Sequence, residues 1–104
     1  MKGIVWGLDA DSAIKKLEEI ETRYELYRTA NVLTRRKNKY LYELVYDNGD
    51  YWVARSASES AKGHKCNISY IDARLDPEVI DCMIKHCTTA GPYQAFHYFY
   101  DFIE

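Results

Sequence analysis

Two β-rich runs separated by Asp47-Asn48-Gly49-Asp50 are the tightest constraint on what this chain can fold into. Tyr40 to Tyr46 and Tyr51 to Ala57 flank an Asn-Gly pair, the preferred two-residue type I′ turn, because both central residues must take positive φ. With Asn48-Gly49 as the loop, Tyr46 faces Tyr51, Leu44 faces Val53 and Tyr42 faces Arg55 on one side. The other side sets Val45 against Trp52 and Glu43 against Ala54. Both sides are partly apolar, so the sheet is expected to be covered on both faces, or used for binding on one.

Around this hairpin the other elements follow from periodicity and capping. Lys2 to Trp6 reads as a strand ended by Gly7, and Asp9-Ala10-Asp11-Ser12 supplies helix-cap chemistry. Ala13, Leu17, Ile20, Tyr24 and Tyr27 then form one helical face of about five turns. Lys15, Lys16, Glu18, Glu19, Glu21, Arg23 and Glu25 form its solvated side. Arg35-Arg36-Lys37-Asn38-Lys39 reads as a basic loop and Ser58 to Lys65 as a polar one. Cys66 to Ile71 is a further strand. Asp76-Pro77-Glu78 opens a second helix with a cap, a first-turn proline and an acid. Its apolar face is Val79, Ile80, Met83, Ile84 and Cys87, and Ala90-Gly91-Pro92 stops it. The tail, Tyr93 to Glu104, carries Tyr93, Phe96, Tyr100 and Ile103 at helical spacing and reads as a third helix. It also alternates like a strand through Phe96, Tyr98, Tyr100 and Phe102. The order is β-α-β-β-β-α-α. The fold expected is α+β: one domain over residues 1–104, with a small single-layer mixed or antiparallel sheet, the Asn-Gly hairpin at its centre, and two or three helices packed on it.

Composition narrows the function classes. The chain has 104 residues, 47% of them hydrophobic and 29% charged, with a net charge of -2. That balance excludes a disordered chain, a coiled coil, a multidomain enzyme and a strongly basic nucleic-acid coat. Tyrosine stands out at 10 residues, a side chain suited to half-buried surfaces and binding faces. The apolar run after Met1-Lys2-Gly3 is too short for a signal peptide, and no stretch approaches the roughly 20 apolar residues of a membrane helix. The expectation is a cytoplasmic protein without a membrane partner. Cys66, Cys82 and Cys87 read as reduced thiols.

Four chemistries can be weighed on the motifs. Gly7-Leu8-Asp9-Ala10-Asp11-Ser12 follows a strand and opens a helix, but it lacks the second glycine and the lysine of a phosphate-binding loop, and its two carboxylates repel an anion. Asp9 and Asp11, joined by Asp72 at the end of a neighbouring strand, could begin a two-metal phosphoryl-transfer site. Capping is the commoner role for the first two. His64-x-Cys66 and Cys82-x3-His86 lack the spacing of a zinc finger or ribbon. Pairing Cys82 or Cys87 with His64 or His97 finds no surrounding context for a nucleophile. Arg35, Arg36, Lys37, Lys39, Lys62 and Lys65 could meet a phosphate backbone, with Tyr40, Tyr42, Tyr51 and Trp52 alongside for stacking. No cofactor is expected.

The run over residues 40–85 resembles the ATPase core of phage terminase large subunits. The matching positions are Asn48-Gly49 in a hairpin, Lys62-Gly63 in a polar loop, and an apolar strand ending at Ile71-Asp72 before a helix. The resemblance implies a magnesium-binding role for the aspartate and a following glutamate as base. Asp72 is instead followed by Ala73-Arg74, and the Walker A counterpart at Gly7 to Ser12 is missing. What it implies is a shortened relative that does not hydrolyse ATP, of phage or prophage origin.

The functional expectation is a small non-enzymatic protein that binds a protein partner, as an inhibitor of a host nucleic-acid-processing or defence enzyme in the manner of an anti-CRISPR. Its contact residues would be Tyr40, Tyr42, Tyr51 and Trp52 with the basic loop, or the aromatic tail. One alternative is a nucleic-acid-binding or packaging accessory using the six basic residues above. Another is a magnesium-dependent phosphoryl-transfer enzyme using Asp9, Asp11 and Asp72. An exposed aromatic face would also suit a homodimer.

Overall fold

The computed structural model describes residues 1–27, 30–57, 65–88 and 95–100, with the side chains of residues 24–27 and 95 outside the description. Six strands and two helices follow one another along the described residues: β1 (Lys2–Gly7), α1 (Ala10–Tyr27), β2 (Val32–Lys37), β3 (Tyr42–Tyr46), β4 (Tyr51–Ser56), β5 (Ile68–Asp72), α2 (residues 77–87) and β6 (Ala95–Phe99). The strands form one sheet in the order β2-β3-β4-β1-β5-β6. β1 pairs in parallel with β4 and β5, and β5 in parallel with β6, while β2, β3 and β4 form an antiparallel meander. The fold is therefore α+β with a mixed sheet, as the hairpin and the capping pattern indicate.

Each face of the sheet carries one helix. Val5, Leu44 and Trp52 meet Ala13, Ile14, Leu17 and Ile20 of α1 on one face. On the other, Ile4, Trp6, Val53 and Ile71 meet Ile80, Met83, Ile84 and Cys87 of α2. Asp9 caps α1 by accepting the Ser12 N–H at 2.8 Å. Asp76 caps α2 by accepting the Glu78 N–H at 2.9 Å, with Pro77 in the first turn. The middle of α2, Ile80–Ile84, is wound as a π-helix.

Four features differ from the sequence reading. The hairpin register is one residue off the expected one, pairing Tyr42 with Ala54, Leu44 with Trp52 and Val45 with Tyr51. The Gly49 N–H donates to Tyr46 C=O at 3.1 Å and the Tyr46 N–H to Asp50 C=O at 2.8 Å, which closes a three-residue loop. Of its residues only Gly49 has positive φ, at 91°. This is a type I turn followed by a left-handed glycine, not a type I′ turn. Second, the expected basic loop is mostly strand: β2 takes Arg35, Arg36 and Lys37 as a charged edge, with a register shift between Val32 and Thr34. Third, the described part of the tail forms strand β6, Ala95–Phe99, and not a helix, so the period-two pattern prevails there. Fourth, Glu21, placed on the solvated side of α1, is buried against the sheet. The expected core positions Tyr24 and Tyr27 have side chains outside the description, as does most of the polar loop.

Two glycines permit close approaches around β1. A Cβ on Gly3 would lie 2.4 Å from the buried Trp52 ring, and one on Gly7 would lie 2.8 Å from the Ala13 Cβ, where β1 hands over to α1. Gly3→Ala should destabilise the protein by about 1–3 kcal/mol, the cost of overpacking a filled core. Urea unfolding reads this directly, and an unchanged midpoint would mean that the indole has room to move.

Candidate functional site

The parallel half of the sheet fixes where chemistry can gather. β1 leads into α1 on one face and β5 leads into α2 on the other, so the two crossovers part at the carboxyl ends of these neighbouring strands. In open sheets the crevice at such a parting is where ligands are bound. Leu8, Asp9, Ser12, Asp72, Arg74 and Tyr100 meet there.

Asp72 ends β5 with no solvent exposure. Its Oδ1 accepts from Arg74 Nε at 2.9 Å and from the Arg74 N–H at 3.0 Å. Its Oδ2 accepts from Arg74 Nη2 at 2.7 Å and from the Leu8 N–H at 3.0 Å. The carboxylate is therefore gripped by both prongs of one guanidinium and by two backbone amides. Burial pushes the Asp72 carboxyl pKa up, but the bonds from Arg74 and Leu8 outweigh it and hold the group below the ordinary carboxylate range. Arg74 Nη2 also donates to Ser12 Oγ at 2.9 Å, at the start of α1. The Tyr100 ring lies 4.3 Å from the guanidinium carbon. Tyr100 has φ of 56°, a left-handed conformation costly for a bulky side chain, and this turn follows directly on β6.

The three acids named for phosphoryl transfer are thus divided. Asp72 is clasped by Arg74. Asp9 caps α1, and the Ser12 amide and hydroxyl lower its pKa. Asp11 is exposed and pairs with Lys15 at 3.7 Å. Among the described residues no group of three or more His, Cys, Asp or Glu side chains is arranged to hold a metal ion. His64 lies outside the described residues; Cys82 is exposed, whereas Cys66 and Cys87 are buried.

The aromatic residues named for partner binding do not form one face. Tyr42 and Trp52 are core residues on the α1 side. The one-residue register difference is the reason, since it turns Tyr42 toward the same face as Trp52 and Ala54. The Tyr42 hydroxyl donates to Glu21 of α1, and Arg35 donates to both Glu21 and Tyr42. Burial, then the bond to Glu21, pushes the Tyr42 phenol up to about 12. Tyr51 is half-buried and donates to Glu43 at 2.7 Å, and burial pushes its phenol to about 12 as well. Tyr40 alone of the four is open, with 69% of its surface exposed.

The basic residues are split as well. Arg36 lies 3.8 Å from Glu43 and Lys37 lies 3.6 Å from Glu18, so β2 is matched by carboxylates of its own chain. Lys39 sits over the Tyr40 ring at 5.7 Å. Lys65 donates to the His86 C=O at 3.2 Å, before the start of β5. Four inter-strand steps separate β2 from β5, roughly 19 Å, and Lys65 lies at the opposite end of the strands from Lys39. Lys62 lies outside the described residues.

Sequence reasoning missed Arg74, whose only signal was its position two residues after a strand-ending aspartate. It also missed Leu33, exposed on β2, and the groove of about 360 Å³ lined by Lys15, Lys16, Glu19, Phe99 and Tyr100. Comparison of the chain with protein-family models, curated proteins and solved structures finds no match. No helix among the described residues is long and apolar enough to cross a membrane.

Because the Asp72 pKa is lower folded than unfolded, its contribution to stability is full above about pH 4 and is lost as the pH falls further. Asp72→Asn should lower the melting temperature by several degrees at pH 7, and the gap from the native sequence should close in acid. Thermal melts across the range test this; a gap that stays constant down to about pH 2 would refute the assignment.

Proposed function

We propose that this chain is a small non-enzymatic protein that binds another protein along the β2 edge of its sheet. The observation that carries the reading is the pair of large apolar side chains left open there. Leu33 is 68% and Tyr40 is 69% exposed, one within β2 and the other just beyond its end. Beside them Arg36 and Lys37, paired with Glu43 and Glu18, and Lys39 over the Tyr40 ring form a rim whose ion pairs a partner's carboxylates can share. The partner surface this suits has sockets for an aliphatic and an aromatic anchor, bordered by carboxylates, with tyrosine and arginine as the dominant anchors. The clasping of Asp72 by Arg74, the capping role of Asp9 and the separate, exposed position of Asp11 support a binding role over phosphoryl transfer. The resemblance to a terminase core supports a phage or prophage source, and with it a host nucleic-acid-processing or defence enzyme as the partner inhibited.

A second reading draws on one observation. Asp72 ends a central parallel strand where the terminase resemblance puts a magnesium-binding aspartate, and Arg74 occupies it. That favours a packaging or nucleic-acid-binding accessory that has kept the framework and not the hydrolysis.

Affinity capture from the host with the native chain, Leu33→Ser/Tyr40→Ser and Tyr98→Ser separates the readings. The double variant should lose the captured protein about tenfold or more while Tyr98→Ser retains it, with both variants folded. Equal capture by all three would discard the β2 edge. Capture that disappears with nuclease treatment or moderate salt would favour the nucleic-acid reading.

A further inference from the structure

Two of the three thiols lie in one place. Cys66, just before β5, and Cys87, the last residue of α2, are 2% and 4% exposed and belong to the same cluster between the sheet and α2. The Cys66 N–H donates to the Cys87 C=O at 2.9 Å. The N–Cα bond is ~1.46 Å and the Cα-to-carbonyl-oxygen distance is about 2.4 Å, so the two Cα atoms can be no more than about 6.8 Å apart. That bound falls within the Cα separations that a disulfide spans. Cys82, on the same helix, is exposed and belongs to neither position.

We propose that Cys66 and Cys87 are a dithiol–disulfide pair that clamps the end of α2 to the start of β5 under oxidation. The oxidant is a low-molecular-weight disulfide. One cysteine thiolate attacks it, forming a mixed disulfide and expelling one small thiol. The second cysteine then attacks the mixed disulfide and expels the other. Cys66 Sγ–Cys87 Sγ is the bond formed; the two protons and two electrons leave on the small thiols.

The surroundings set the pace of this exchange. The Ser69 hydroxyl lies 3.3 Å from Cys66 Sγ and that of Thr88 lies 3.9 Å away. Burial pushes the Cys66 thiol pKa up and these hydroxyls only partly offset it, so the thiol is protected in the closed form. Reaction waits for the last turn of α2 to lift from the sheet. Once formed, the bond holds that turn down on the sheet. Drawing Cys66 toward Cys87 leaves Ser69 its bonds to Trp6 Nε1 at 3.0 Å and to Thr88 at 2.6 Å.

The test uses the full chain carrying Cys82→Ser, incubated folded with glutathione disulfide, then alkylated in denaturant. The expected product has lost two hydrogens, yields a peptide linking residues 66 and 87 without reductant, and melts about 5 °C or more higher until reduced. Adding Cys87→Ala should abolish both the linked peptide and the shift, and Cys66→Ala serves if that variant does not fold. Full alkylation of both cysteines, glutathione adducts alone, linkage only after unfolding, or linkage without a rise in melting temperature would each overturn the proposal.

Discussion

The strand from Lys2 to Gly7 is enclosed on four sides. β4 and β5 take its two backbone edges in parallel, α1 covers Val5, and α2 covers Ile4 and Trp6. A strand enclosed this way cannot be joined to its parallel neighbours by tight turns, because parallel partners need crossovers. One crossover runs through α1 and the meander, and the next strand leaves by α2 on the far face. The parting of the two helices above β1 and β5, and so the polar cluster at that rim, follows from the enclosure. Gly3 and Gly7 are its local requirements, one leaving space for the Trp52 ring and the other for the first turn of α1.

Two polar clasps then hold α1 against this sheet, and they share a design. At its start, Arg74 joins Asp72 of β5 to Ser12 of α1. Further along, Arg35 of β2 and Tyr42 of β3 converge on Glu21. In both a buried carboxylate is met by a half-exposed arginine, which keeps part of its hydration while neutralising the acid. Removing one partner of such a clasp leaves a buried charge unmatched, which is strongly destabilising. Here the two clasps tie α1 to β5 at its start and to β2 and β3 further along.

These clasps mark where the sequence ceases to be readable. The hairpin, both helix starts, and the strand ending at Asp72 are local signals carried by adjacent residues. The register of the hairpin is not, because Asp47-Asn48-Gly49 serves a two-residue or a three-residue loop equally well, and the choice decides which face receives Tyr42. β2 was hidden because an edge strand whose outward charges pair with α1 and β3 has no apolar alternation to show. The tail satisfied both the helical and the strand period, and pairing with β5 settled it. Glu21 looked solvated because its neighbours on α1 are; its burial depends on Tyr42 and Arg35, which are remote in sequence. Asp72 was visible as a chemical group, whereas its engagement by Arg74 depends on the turn that follows β5.

The β2 edge of the sheet puts its charges to use within the chain. β2 carries three consecutive cations and an irregular register, both of which discourage another strand from pairing with it. Its cations are not spent on solubility alone, for Glu18, Glu21 and Glu43 answer them from within the chain. An edge already neutralised by α1 and β3 exerts little long-range pull on a polyanion, because opposite charges a few ångströms apart cancel beyond the screening length. What such an edge can still offer is short-range contact: the open surfaces of Leu33 and Tyr40, and a rim whose ion pairs can exchange partners at small cost. On the protein-binding reading proposed above, this internal neutralisation weighs against nucleic acid at β2 and suits the edge to a protein surface.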